Sequence, residues 1–324
     1  MADNPKEPGI AVDEFEAAPK GDLTPKKRGN RLGFLIFRIA ARLFGLRGAY
    51  GLLYFVCLYY VLFDRAAVRS TMPYVKRRFP GRGPLGRHME AYRLFISQGR
   101  NLIDRFYMIS GAGKFDIDIL GYDRMKSFLK GPGTNGLVLL TAHVGNWQTS
   151  MAGLEEIGRK VHLMMKPEQN EAVREALSVD AGGERIGIIS PDGYLGGVIE
   201  ALKAIREGDL VSIMGDRAYG ADTVEAEFLG AKVRFPYGAF SIAASAGCPV
   251  VVLLTAKAGP KNYVVDVTTV IEPVYTDRRS KMKDIERWVG EFASALERYV
   301  EKYPYQWFVF HDLWSPQKDV GGDE

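Results

Sequence analysis

From residue 115 onward, apolar and polar positions fall into a repeating order. Residues 115–121 alternate and predict a strand. Residues 137–142 (Leu137-Val-Leu-Leu-Thr-Ala142) form a nearly continuous apolar run of strand length, as expected for a strand buried on both faces. Further β-prone runs fall at 160–165, 186–190, 210–214 and 249–255, and residues 263–271 alternate as an outer strand. Between them, 149–157, 171–177 and 194–206 carry helical patterning, and 284–303 read as a long amphipathic helix. Strands alternating with helices predict an α/β fold with a central, mainly parallel sheet flanked by helices. No internal repeat is evident.

The first third is patterned differently. Residues 1–30 are polar and Pro-bearing, without an apolar core of the signal-peptide kind, and read as a disordered tail. From Phe34, Arg38 and Arg42 fall four apart on one helical face while apolar residues fill the other. Residues 49–63 then run for 15 positions without a charge, short of the ~20 needed to span a bilayer. Arg47 stands near the end of that run, where it can snorkel. Two readings stay open: a helix pair dipping into a membrane surface, and a hydrophobic hairpin packed on the main domain. Residues 66–113 predict Arg-rich helices. The expected division is a tail (1–30), a basic and apolar membrane-associated helical region (31–113) and an α/β domain (114–324).

Charge sharpens that division. The chain of 324 residues carries a net +4, but residues 1–110 hold 19 Lys/Arg against 9 Asp/Glu and the remainder 24 against 30. A basic segment points to an anionic partner. Because its charges are interleaved with apolar stretches, a phospholipid surface fits better than nucleic acid, and no nucleic-acid partner is expected. Cys57 and Cys248 sit far apart in apolar runs, which argues against a disulfide framework and for a reducing compartment. His88, His143, His162 and His311 show no metal-ligand clustering, so no metal site is expected.

Candidate chemistry lies where strands end. The run 137–142 stops at His143-Val-Gly145-Asn146-Trp147-Gln148. The carboxyl end of a buried strand is where α/β proteins place reactive groups, and a histidine there can act as a general base near neutral pH. A lone histidine can equally just end a strand. Two other expected strands end at Lys166 and at Asp216-Arg217, and if the strands are neighbours these residues converge on one crevice. Gly145 allows a tight turn, and Asn146 could cap a following helix or touch substrate. Lys166 and Arg217 could hold a phosphate or a developing oxyanion.

The run His143-Val-Gly-Asn-Trp-Gln148 resembles the His-x4-Asp/Glu motif of glycerolipid acyltransferases. It is more similar to the His-x-Gly-Asn-Trp-Glu form of late lipid A acyltransferases and their relatives, including phosphatidylinositol mannoside acyltransferases. The resemblance extends from about Arg31 to Trp314. It implies that His143 deprotonates an acceptor that attacks an acyl thioester. The acid that orients the histidine is replaced here by Gln148, whose oxygen could accept from Nδ1–H but cannot neutralise an imidazolium. Lys166 stands where the family commonly has a substrate-contacting Arg, and Asp216-Arg217 resembles a later block lining the acceptor or thioester site. Residues 228–240 resemble the family's Phe-Phe-Gly…Pro-Gly block. Tyr305-Gln306-Trp307-Phe308 and His311 resemble its late Gln-Trp segment, read as structural.

The implied activity is transfer of a fatty acyl group to a hydroxyl or amine of a lipid or glycolipid, at the cytoplasmic face of the inner membrane. Its donor would be a thioester of acyl carrier protein or coenzyme A, with no cofactor and no covalent enzyme intermediate. The amide at Gln148 favours a competing reading, a non-catalytic lipid-binding relative. A thioesterase-like hydrolase would differ only in using water as the acceptor.

Overall fold

The computed structural model describes residues 31–109, 111, 113–130, 135–146, 157–165, 186–192, 194–217 and 222–315. Three helices come first: α1 (Arg31–Phe63), α2 (Arg65–Arg78) and α3 (Pro84–Ile109). Gly45, at φ 64° and ψ −166°, breaks the helical path of α1. Asp64 separates α1 from α2 and caps the latter, accepting from Ala67 N at 2.9 Å. Proline opens α3, where the missing N–H costs nothing.

The second half of α1 packs on α3 through Ala49, Leu53 and Cys57 against Ile96 and Ile103. Gly99 makes room, since a Cβ there would lie 2.3 Å from Leu53 Cδ1. The opposite face leaves Leu43, Phe44, Phe55, Tyr59, Leu62 and Phe63 exposed. Within the 22 residues Arg42–Phe63, an 18-residue window reaches a mean hydropathy of 1.5, so the stretch is long and apolar enough to cross a membrane by length and composition. One face of α1 is thus packed on α3 and the other is left bare.

The α/β region has a six-stranded sheet in the order β11-β8-β2-β5-β3-β4. Its strands are β2 (Leu137–Thr141), β3 (Val161–Met164), β4 (Ile186–Ile189), β5 (Leu210–Met214), β8 (Val250–Val252) and β11 (Val270–Ile271). All pairings are parallel except the edge pair β8–β11, as the apolar runs predict. Every residue of β2 is buried, which is why its sequence does not alternate. One face packs against α5 (Val198–Arg206), α6 (Gly238–Ala246) and α7 (Lys281–Lys302), with Trp288, Phe292, Phe240 and Trp307 at the centre of the core. The other face packs under α4 (Tyr122–Ser127) through Met125, Leu139, Leu163 and Leu253.

Two expected strands each proved to be two. The run 249–255 divides at Leu253, whose N–H still bonds Leu140 O at 2.8 Å. Beyond it, β9 (Leu254–Lys257) leaves for a three-stranded sheet with β10 (Asn262–Asp266) and β1 (Asp116–Leu120). The run 263–271 likewise supplies β10 to one sheet and β11 to the other. An antiparallel hairpin of β6 (Thr223–Phe228) and β7 (Ala231–Pro236) was not anticipated. Its turn residues Leu229 and Gly230 have φ 51° and 72°, the left-handed pair that a tight hairpin requires. The helices expected over 149–157 and 171–177 lie outside the described residues, apart from Ile157.

Candidate active site

Strand order decides which of the expected residues meet. β2 lies beside β5, and β5 beside β3, all parallel, so their carboxyl ends share one edge of the sheet. His143 follows β2 and Asp216 follows β5. Gly215 N bonds Thr141 O at 2.8 Å and keeps the two chains in step one residue past the ladder. A Cβ at Gly215 would meet Leu140 Cδ1 at 2.6 Å and the Phe292 ring at 3.1 Å, so a larger residue there would have to displace core side chains.

The result is a histidine–carboxylate pair. His143 Nδ1 lies 2.9 Å from Asp216 Oδ1. A carboxylate can only accept, so Nδ1 carries the proton and the neutral ring has its lone pair on Nε2. Asp216 Oδ2 accepts twice more, from His143 N at 2.8 Å and from Trp307 Nε1 at 2.9 Å. The carboxylate side chain is wholly buried, whereas the imidazole is 30% exposed. Burial alone would raise the Asp216 pKa. The charge and hydrogen bonds of His143, with the indole N–H, outweigh it and hold the group below the usual aspartate range. For His143, burial works against the charged form. The charge and hydrogen bond of Asp216 overcome it and raise the pKa above the ordinary histidine value. Arg217 is half-buried, and its charge opposes protonation of His143.

The turn after His143 is held from several sides. Gly145 sits at φ 47°, and a Cβ there would lie 1.9 Å from Thr255 O, so both conformation and space require glycine. Phe308 N donates to His143 O at 2.7 Å, Gly145 N donates to Gln306 O at 2.8 Å, and Val144 bridges Trp307. The Gln-Trp-Phe segment is therefore a short bridge partner of the turn that carries His143, and its tryptophan donates to the buried carboxylate. Its reading as merely structural missed this. The usable signal was the indole N–H, which needs a partner when the ring is buried. His311 also lies in this neighbourhood. Burial, then the charge of Arg217, push its pKa down to about 4, so it is neutral near pH 7.

Among the expected site residues, the structure brings together His143, Asp216 and Arg217. Asp216, expected as a substrate contact, instead has both oxygens occupied by His143 and Trp307. Asn146 is buried, and its Nδ2 donates to Asn101 O on α3 at 3.2 Å, tying the turn to the N-terminal helices. Gln148 and Lys166 lie outside the described residues. The Nδ1 proton assigned in the sequence to Gln148 goes to Asp216. Both cysteines are free and buried, and no cluster of metal-ligating side chains occurs among the described residues.

Comparison with known proteins bears on this geometry. Residues 112–315 match the family described as bacterial lipid A biosynthesis acyltransferase. No curated protein matches the sequence. Among solved structures, the chain is similar to the 1-acyl-sn-glycerophosphate (LPA) acyltransferase PlsC from Thermotoga maritima. Identity is 13% and the TM-score 0.37, over 86% of this chain and 99% of that one.

Proposed function

The chain belongs to the bacterial lipid A biosynthesis acyltransferase family, and from that premise we propose that it moves a fatty acyl group from an acyl thioester to a hydroxyl or amine of a lipid or glycolipid. It is an acyltransferase; donor, acceptor and membrane setting are our reading. The observation that carries the reading is the His143–Asp216 pair at the open edge of a parallel sheet. His143 Nε2 takes the proton of the acceptor as its oxygen or nitrogen attacks the thioester carbonyl. Asp216 stabilises the imidazolium so formed. The carbon–sulfur bond then breaks, and His143 returns the proton to the departing thiolate. Arg217, and Lys166 two residues beyond β3, supply positive charge for a phosphate or the developing oxyanion.

The non-catalytic alternative rested on the amide at Gln148. The buried carboxylate on Nδ1 supports catalysis instead. The donor is a thioester of acyl carrier protein or coenzyme A. The exposed apolar face of α1, beside a basic first third, supports attachment to a phospholipid surface at the cytoplasmic face of the inner membrane. The test is mass spectrometry of membrane lipids from cells with and without the gene, complemented by the unmodified protein or by His143→Ala. One lipid class short of a single acyl chain, restored only by the unmodified protein, is expected. An unchanged lipid profile would overturn the reading.

A further inference from the structure

A second buried carboxylate, Asp104 on α3, lies outside the His143–Asp216 pair but reaches the same turn by two routes. Its side chain is wholly buried. It accepts from the Tyr50 hydroxyl of α1, from Lys257 Nζ of β9 at 2.5 Å and from the Tyr263 hydroxyl of β10 at 2.5 Å. Lys257 also donates to Pro260 O at 2.9 Å and lies over the rings of Tyr50, Phe115 and Tyr263. One carboxylate thus gathers a helix with a bare apolar face and two strands of the smaller sheet.

The first route runs through β10. The Tyr263 hydroxyl is 3.0 Å from Asn101 Oδ1, and the Asn101 carbonyl accepts Asn146 Nδ2. The single hydroxyl proton of Tyr263 goes to Asp104, so the ring lies against the Asn101 side chain without donating a second bond to it. The second route runs through β9. Lys257 N donates to Gln306 Oε1 at 2.7 Å, and Gln306 Nε2 returns a bond to Lys257 O at 2.9 Å. The Gln306 carbonyl then receives Gly145 N. Gly145 and Asn146, the second and third residues after His143, are thus both linked to Asp104 through chains of contacts. The turn has no slack to absorb a shift of β9, because the Thr255 carbonyl already fills the space a Cβ at Gly145 would need.

We propose that Asp104 is a positioning residue for the turn that carries His143, and that through Tyr50 it ties the seating of α1 to that turn. The consequence for rate rests on the acyltransfer reading above; the positioning itself does not. A displacement of the base by about 1 Å, even from a distant change, can cost on the order of 10²-fold.

The experiment compares the full-length protein with Tyr50→Phe and Asp104→Asn, by amide hydrogen exchange and by transfer kinetics. Tyr50→Phe keeps the ring and removes one donor. It is expected to speed exchange in peptides covering 143–146 while leaving those of β5 unchanged. It should lower kcat by about threefold to tenfold, with KM for the thioester held within about twofold. Asp104→Asn should do the same more strongly. If Asp104→Asn does not fold, Tyr50→Phe carries the test alone. Unchanged exchange at 143–146, or a rise shared equally by all strands, would overturn the proposal. Faster exchange at 143–146 alone, with no transfer by the unmodified protein, would uphold positioning and defeat the functional reading instead.

Discussion

Strand β5 is flanked by an aspartate at each end, and each aspartate meets a histidine. At the amino end, Asp209 Oδ2 lies 3.0 Å from His162 Nε2 on β3; at the carboxyl end, Asp216 Oδ1 lies 2.9 Å from His143 Nδ1. The distances are nearly equal, so distance does not separate the two pairs. Burial and partners do. Side chains of the first pair are alike in exposure, 17% and 21%, whereas the second combines a buried acid with a 30% exposed imidazole. Asp216 also accepts from a backbone amide and an indole, which fix it before any chemistry begins. His162 instead lies against β4, its Nδ1 2.6 Å from where a Cβ on Gly187 would stand. A histidine–carboxylate pair becomes a base and its orienter when the acid is dry and immobilised and the base can still reach a substrate.

The widest separation between the two pairs should come from removing the base. His143→Ala is expected to lower transfer by about 10²–10⁴-fold with the fold retained, measured as initial rate with thioester and lipid acceptor; near-normal transfer would remove His143 from the mechanism. Asp216→Asn should follow, at about 10²-fold or more, since an amide can leave the imidazole in the wrong tautomer and cannot stabilise its charge. Its pH profile gives an independent sign. The base works when neutral, and Asp216 raises its pKa above that of an ordinary histidine, so the acidic limb of kcat/KM is displaced to higher pH. Without the carboxylate's charge, burial and the charge of Arg217 remain, and both disfavour the imidazolium. The limb should therefore move to lower pH as the rate falls. A limb that stays in place would mean that another group sets it.

Much of this was legible in the sequence because strand ends are. The apolar run 137–142 located His143, and 210–214 located Asp216, at the ends of strands observed at Leu137–Thr141 and Leu210–Met214. The pairing of the two was not legible, since it depends on the order β2-β5-β3, which hydropathy does not encode. Motif spacing pointed instead to the residue five positions after His143. The role of Trp307 was hidden for a similar reason: 91 residues separate it from the carboxylate it serves. The splits at Leu253 and between β10 and β11 escaped because both daughter strands are apolar, and the pattern does not change where the chain changes sheet.

The geometry also ranks the two candidate orienters. With the Nδ1 proton given to Asp216, Gln148→Ala should cost at least about tenfold less in kcat than Asp216→Asn. Single-turnover rates of the two variants, measured side by side, check this. Equal losses would show that the amide shares the work of the carboxylate.

The smallest effect is expected at the other end of β5, and it tests the criterion itself. Asp209→Asn keeps the shape of the side chain and removes its charge, as Asp216→Asn does. Asp209 is partly exposed, so solvent screens the pair and can hydrate what the substitution leaves unmatched. The loss of stability should be about 1 kcal/mol or less, readable as a small fall in the denaturation midpoint. The site lies at the opposite edge of the sheet from His143, joined to it through β5, whose ladder to β2 runs unbroken from Leu210 to Met214. A ladder of that kind moves as a unit or not at all, so a change in side-chain charge at one end should leave the other end in place. Transfer by Asp209→Asn should accordingly stay within about twofold of the unmodified protein. A large loss of rate without a matching loss of stability would show that the two pairs are coupled, and burial of the acid would no longer suffice to tell a catalytic pair from a structural one.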